Sequence, residues 1–328
     1  MKLRDLKEGK LAVNGTMTVN AWTKQCISTY KTGQKEITKK KYENRIRHCI
    51  LDHIGHMQIK DVKPLHCQQV LNFQTGKSKS QISEVYHAMK FIFSKAVTSH
   101  LILTNPAQDL VKPAGTKTSR RAITEVEREH IVKVASTDRR YYLFLLMLHC
   151  GCRPSEAAEA MGKDIIQVDG YNMLHIRGTK TANADRLVPI PDKLYSLIRT
   201  TPKNEYIAAY STGKPIKYDN RQRVWYSFKR QLNISMGCKM YRNALVPPYP
   251  VSPDLVPYCL RHTYCTDLAR NGIDIRSAQK LMGHTDIKMT ANIYTNLDQE
   301  DIISAAKLLP GCTQGATPKG QKRSISVP

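Results

Sequence analysis

Tyr258-Cys259-Leu260-Arg261-His262-Thr263-Tyr264 opens the stretch, running on to Thr295, around which the rest of the chain is read. Leu260, Tyr264 and Leu268 recur every four residues, which predicts a helix with one buried stripe. Tyr258 and Arg261, three residues apart, then project from another face about one turn from each other. Gly272 is placed to stop this helix and Asp274 to cap the next, which should carry Ile275, Ala278 and Leu281 inward and end at Gly283. His284 follows at once. A third short helix, capped by Thr285 or Asp286, delivers Tyr294 ten residues after that histidine.

A guanidinium, an imidazole and a phenol are thus carried on the starts and ends of three successive helices. Arginine suits a two-pronged grip on a phosphate, a neighbouring histidine can donate to the same anion, and a tyrosine hydroxyl can attack phosphorus covalently. Each has a plainer reading alone: a solvated charge, a helix-end residue, a packing ring. Their order and spacing together carry the signal.

These residues resemble the tyrosine recombinase (phage integrase) family, including integrases of prophages and conjugative transposons of Gram-positive bacteria. The resemblance rests on Arg261-His262-Thr263, Met282-Gly283-His284, Tyr294-Thr295, Gly151-Cys152-Arg153-Pro154-Ser155-Glu156, and Gly178-Thr179-Lys180-Thr181 followed by Arg186-Leu187-Val188-Pro189-Ile190, and it covers roughly residues 18–308. It implies a catalytic set of Arg153, Lys180, Tyr258, Arg261, His284 and Tyr294, supported by Glu156 and His262. The two arginines would clamp one scissile phosphate and His284 would add a donor. Tyr294 would form a 3′-phosphotyrosyl link and Lys180 would protonate the leaving 5′ hydroxyl, with exchange passing through a Holliday junction. No cofactor and no metal are implied. One position departs from the family pattern: Tyr258 stands where a histidine is usual. The base is therefore open between His284, His262 and a lowered phenol pKa, and positioning of the phosphate is the favoured role for Tyr258.

The remainder of the chain fits this frame. Its 328 residues allow two domains, and a formal charge of +24 points to a polyanion, with nucleic acid ahead of an anionic membrane surface. No apolar run is long enough to span a bilayer. Nine cysteines without Cys-x-x-Cys spacing read as reduced, in a cytoplasmic protein. Residues 1–17 read as a short leader. Residues 18–111 read as a helical core-type DNA-binding domain of four helices punctuated by Gly55, Gly76 and Asn105-Pro106. Residues 112–121 read as a flexible basic linker, 122–309 as a mixed α+β catalytic domain, and 310–328 as a disordered basic tail. The fold class is mainly α with a small β-sheet or hairpin.

Candidate DNA contacts are Lys39, Lys40, Lys41, Arg45, Lys77, Lys79, Arg120, Arg121, Arg221 and Arg223, against the alternative of a merely solvated basic surface. Gly76-Lys77-Ser78 imitates the end of a phosphate-binding loop, but Leu71 occupies the place of its first glycine. Thr124 with Glu127 forms a capping box, and Tyr142 to Leu148 reads as the central buried helix, ending at Gly151 so that Arg153 opens the next. Glu156 either orients Arg153 or caps that helix. A helix over 299–309 docks on a neighbouring protomer or packs in cis. The partners expected are double-stranded attachment sites, a homotetramer on DNA, and an excisionase or host DNA-bending protein. The alternatives to an integrase are a Xer-like resolution enzyme, a type IB topoisomerase-like nicking enzyme, and a non-catalytic DNA-binding protein.

Overall fold

The computed structural model describes residues 17–33, 36–116, 120–178 and 185–294. It is mainly helical with a small antiparallel sheet, in two compact units, Met1–Ser119 and Arg120–Pro328. Residues 1–16, Lys180, the tail helix expected over 299–309 and the 310–328 tail lie outside the described residues.

The first unit is built on four helices. Helix α1 (Val19–Tyr30) starts where the Thr18 hydroxyl accepts from the Ala21 amide at 3.2 Å. Helix α2 (Glu36–Ile46) continues through a π-turn at Arg47–Leu51 to Ile54. Helix α3 (Pro64–Asn72) has proline at its first position, where the missing N–H costs nothing. Helix α4 (Lys79–Thr98) is capped by Ser78. Trp22, Ile46, Ile50, Leu71, Met89 and Phe93 are buried together, and the Trp22 indole donates to the Ile92 carbonyl at 3.0 Å, so its polar edge is satisfied inside the core.

The described ends of the 112–121 stretch, read as a flexible basic linker, are each held within their own unit. Thr116 pairs in parallel with Ser78, exchanging backbone bonds with Lys77 and Lys79, while Arg121 is anchored inside the second unit by Glu127 and Asp254.

The second unit carries helices α5 (Glu125–Ala135), α6 (Tyr142–His149), α7 (Pro154–Glu159), α8 (Asp192–Ile198), α9 (Tyr218–Ser235), α10 (Pro257–Arg270), α11 (Ile275–Met282) and α12 (Ile287–Tyr294). Strands β1 (Ile165–Val168), β2 (Tyr171–Ile176) and β3 (Arg186–Pro189) form an antiparallel meander, and β4 (Met240–Tyr241) pairs with β5 (Ala244–Leu245). The capping box of Thr124 and Glu127 is present. Helix α6 is apolar all round, with Leu143 to Leu148 buried without a break, and it packs against α10 at the centre of the unit. Gly151 ends the segment at φ +59°. A side chain there would collide with the ring of Tyr264, so glycine is required both by the backbone angle and by the close approach of α10.

Helix α11 differs slightly from its expected face. Ala278 and Met282 are fully buried, whereas Ile275 and Leu281 are partly so, a rotation that brings the helix end rather than its first turn into the core.

Candidate active site

Three helix termini meet beneath one open cavity of about 240 Å³, lined by Arg120, Arg153, Tyr258, Arg261, His262, Met282, His284, Met289 and Ile293. Arg153 is the N-cap of α7, placed there by the αL turn at Gly151 and by Pro154 at the first helical position. Arg261 leaves the second turn of α10 inward and is only 4% exposed. His284 follows Gly283, which closes α11 in the left-handed conformation (φ 62°, ψ 39°).

The two guanidiniums are aimed by backbone carbonyls. Arg153 donates to the Gly283 carbonyl at 2.6 Å and to Glu156 at 2.7 Å. Arg261 donates to the carbonyls of Gly151 and Met282. Each arginine therefore ties the α6–α7 turn to the end of α11. Glu156 also accepts from the Arg153 amide at 2.8 Å, so it both caps α7 and orients Arg153; the two readings of the sequence are compatible. Arg186 of β3 completes the cluster, donating to Glu156 at 2.9 Å and to the Leu281 carbonyl at 2.7 Å.

These charges control one another. Burial pushes the Glu156 carboxyl up, but the hydrogen bonds and charges of Arg186 and Arg153 overcome it and hold the group at about 2. Burial, then the charges of Arg153 and Arg186, lowers Arg261 to about 10, which leaves it cationic at neutral pH. Burial and the adjacent Arg261, Arg153 and Arg186 lower His284 to about 4, so its imidazole is neutral near pH 7. Its Nδ1 lies 3.0 Å from the hydroxyl of the fully buried Thr290. With that hydroxyl donating, Nε2 keeps its proton and is a hydrogen-bond donor.

Tyr258 is 43% exposed at the cavity wall, and the Arg120 guanidinium lies over its ring at 4.7 Å from the centroid. His262 is half-buried, its pKa lowered by burial and by Arg120. Tyr294 is not brought to the cavity. It ends α12 and packs at the edge of the core, donating its hydroxyl to the Ile273 carbonyl at 2.9 Å. Burial, with Cys265 and Asp274 nearby, pushes its phenol up to about 12. In this structure the Tyr294 hydroxyl is held by the Ile273 carbonyl in the loop between α10 and α11, rather than beside the arginines as the resemblance implies.

The expected DNA contacts divide. Lys40, Lys41, Lys77, Lys79 and Arg223 are exposed, and Lys39 lines a groove between α1 and α2. Arg45 is paired with Glu84. Arg121 spends its whole fork on Glu127, Asp254 and the Ala122 carbonyl, so it fastens the chain rather than presenting a charge. Arg221 is largely buried beside Glu159 and Tyr218, and loss of hydration lowers its pKa. Among the described residues no group of His, Cys, Asp or Glu is arranged to hold a metal ion, and no helix is long and apolar enough to cross a membrane.

The sequence reading quoted Arg186 with the hairpin but gave it no role, and it did not single out Thr290 or the stacking of Arg120 on Tyr258. Arg186 left a signal: it is in phase with Val188, the other inward position of β3, and with Ile190 just beyond it.

A buried Arg261, a half-buried Arg153 and a neutral imidazole under an open cavity, in a chain of strongly basic charge, make a site suited to the phosphates of a nucleic acid. Residues 121–301 match the phage integrase family and residues 18–74 match the phage integrase N-terminal SAM-like domain, and the chain belongs to that family, the tyrosine recombinases that break and rejoin DNA. It is 30% identical over 217 residues to the tyrosine recombinase XerA of Thermococcus kodakarensis, covering 63% of this chain and 70% of that one. It is 23% identical over 336 residues to the transposase from transposon Tn916 of Enterococcus faecalis, covering 93% and 80%. Among solved structures, the Tn1549 transposon integrase in complex with transposon right end DNA superimposes with a TM-score of 0.67 at 20% identity, covering 89% and 99%.

Proposed function

We propose that this recombinase is the integrase of a mobile element, inserting and excising it at double-stranded attachment sites in the cytoplasm. The observation that carries the reading is the convergence of Arg153, Arg261 and His284 on one cavity, each aimed by a partner that fixes its direction. Phosphoryl transfer depends on positioning and on neutralising the charge that spreads over the phosphate oxygens. Arg153 and Arg261 clamp the two non-bridging oxygens, and Nε2 of His284 donates to one of them. Arg120, held over the Tyr258 ring, supplies a further cation at the cavity wall, so Tyr258 positions charge and does not act as the base. Tyr294 attacks phosphorus, the 3′-phosphotyrosyl ester conserves the energy of the bond, and Lys180 protonates the departing 5′ oxygen. The Tyr294 hydroxyl must first exchange Ile273 for the cavity, a movement of α12 that DNA binding drives. Strand exchange proceeds in a homotetramer on DNA, with an excisionase or a DNA-bending host protein setting direction.

The likeness to XerA favours a second reading, resolution of chromosomes or plasmids with the same chemistry. Exchange between two differently marked duplexes separates the two: integration joins unlike sites, whereas resolution requires like ones.

The test is covalent trapping on nicked duplexes from a random pool, followed by sequencing of the captured DNA. The native chain should yield an adduct at Tyr294, and Tyr294→Phe none. An adduct that persists in Tyr294→Phe rejects the assignment. In the same assay Tyr258→Phe, which keeps the ring under Arg120, should cleave within about tenfold of the native chain; a thousandfold loss would show that the hydroxyl itself acts.

A further inference from the structure

We propose that Arg186 is a positioning residue of the strand-transfer reaction, the strut that fixes the two substrate-binding arginines and His284 relative to one another. The inference rests on the assignment of Arg153, Arg261 and His284 to the phosphate. Its first support is a local conflict in β3. Strand residues alternate between faces, and here Arg186 and Val188 face the core while Leu187, the apolar choice, is 41% exposed. A register slip of one residue would bury the leucine and release the arginine to solvent, yet Ile176 pairs with Arg186 and Leu174 with Val188, which locks the costly register. A buried guanidinium at 8% exposure is expensive unless fully partnered. Such breaches of local preference cluster where function demands them.

The second support is where the fork goes. Arg186 reaches Glu156 at 2.9 Å and the Leu281 carbonyl at 2.7 Å. Glu156 is the carboxylate that holds Arg153, and Leu281 is in the last turn of α11, next to Met282, whose carbonyl aims Arg261, and three residues before His284. One side chain thus joins the sheet, the start of α7 and the end of α11, the elements that carry or aim the groups on the cavity. Arg186 does not line the cavity itself and acts through these neighbours. The Arg153 amide and guanidinium hold the carboxylate only from α7, whereas Arg186 ties it to the sheet and to the end of α11 as well. A 1 Å misplacement of such groups costs about a hundredfold in rate.

The experiment uses the full chain and the nicked duplex recovered by trapping. Single-turnover adduct formation is measured at saturating DNA, with the dissociation constant and thermal melting measured beside it. Arg186→Met should lower the rate at saturation at least a hundredfold while the dissociation constant moves less than threefold. Arg186→Lys, which restores a charge beside Glu156 but not the fork, should recover at least tenfold of that loss. A rate for Arg186→Met within threefold of the native chain overturns the proposal. If Arg186→Met melts below the assay temperature, Arg186→Lys decides alone: a native rate overturns the proposal, and a loss of tenfold or more at saturation supports it. Absence of any adduct from the native chain would instead refute the underlying reading of the site.

Discussion

At the scale of single residues, the site is governed by the competition between burial and charge. His284 is nearly enclosed and faces three guanidiniums, so its folded pKa, about 4, lies below its unfolded value. Between pH 6.5 and 4 the unfolded chain binds a proton at this position that the folded chain does not, and stability falls as the pH is lowered through that window. Glu156 acts over a lower range: its folded pKa of about 2 is depressed, so its contribution is present above about 4.5 and lost as the pH falls towards 2. Chemical denaturation of the native chain and of His284→Asn at pH 7 and pH 4.5 checks this. The variant should lose measurably less stability between the two values, and an equal loss would show that His284 is not held neutral. The same balance explains what the sequence displayed at this scale and what it hid. Arg153 and His284 stand two residues and one residue after the helix-stop glycines Gly151 and Gly283, and Arg261 was carried by the Arg261-His262-Thr263 run. Arg186, quoted with the hairpin, was given no role because an arginine in a strand looks like a solvated charge until its buried partner is known.

At the scale of elements, glycines and caps decide where the functional groups emerge. Asp274 caps α11 by accepting from the amides of Arg276 and Ser277, and Asp286 accepts from the Lys288 amide at the start of α12. These local contacts were legible because they join residues two or three apart. Gly151 carries a heavier demand, since it needs a positive φ and also lies against Tyr264. Gly151→Ala should cost about 2–4 kcal/mol, from left-handed strain together with overpacking, and should lower cleavage through the displaced Arg153. Thermal melting and single-turnover cleavage read both, and a variant unchanged in melting would show that α10 can retreat. Helix α12 marks the limit of local reasoning. Its start and length follow from the sequence, but the docking of Tyr294 on the Ile273 carbonyl depends on a residue 21 positions earlier.

At the scale of the whole molecule, a formal charge of +24 dominates. Exposed lysines of the first unit, Lys77 and Lys79 among them, are available to neutralise phosphates, whereas Arg45 and Arg121 are spent on internal ion pairs. Counterion release then makes binding steeply salt-dependent. Replacing Lys77 and Lys79 together by Ala should reduce the slope of log affinity against log salt by about 1–2; an unchanged slope in a binding titration would remove both from the interface. The sequence by itself determined the mainly helical class with its small antiparallel sheet and the helix stops at Gly151 and Gly283, because periodicity, caps and turns are interactions between near neighbours in the chain. Only the tertiary structure decided which arginines are spent on internal partners, that Glu156 holds both Arg153 and Arg186, and that the Tyr294 hydroxyl is held by Ile273. Those outcomes depend on which distant groups compete for the same donor or acceptor, and that competition is settled by packing.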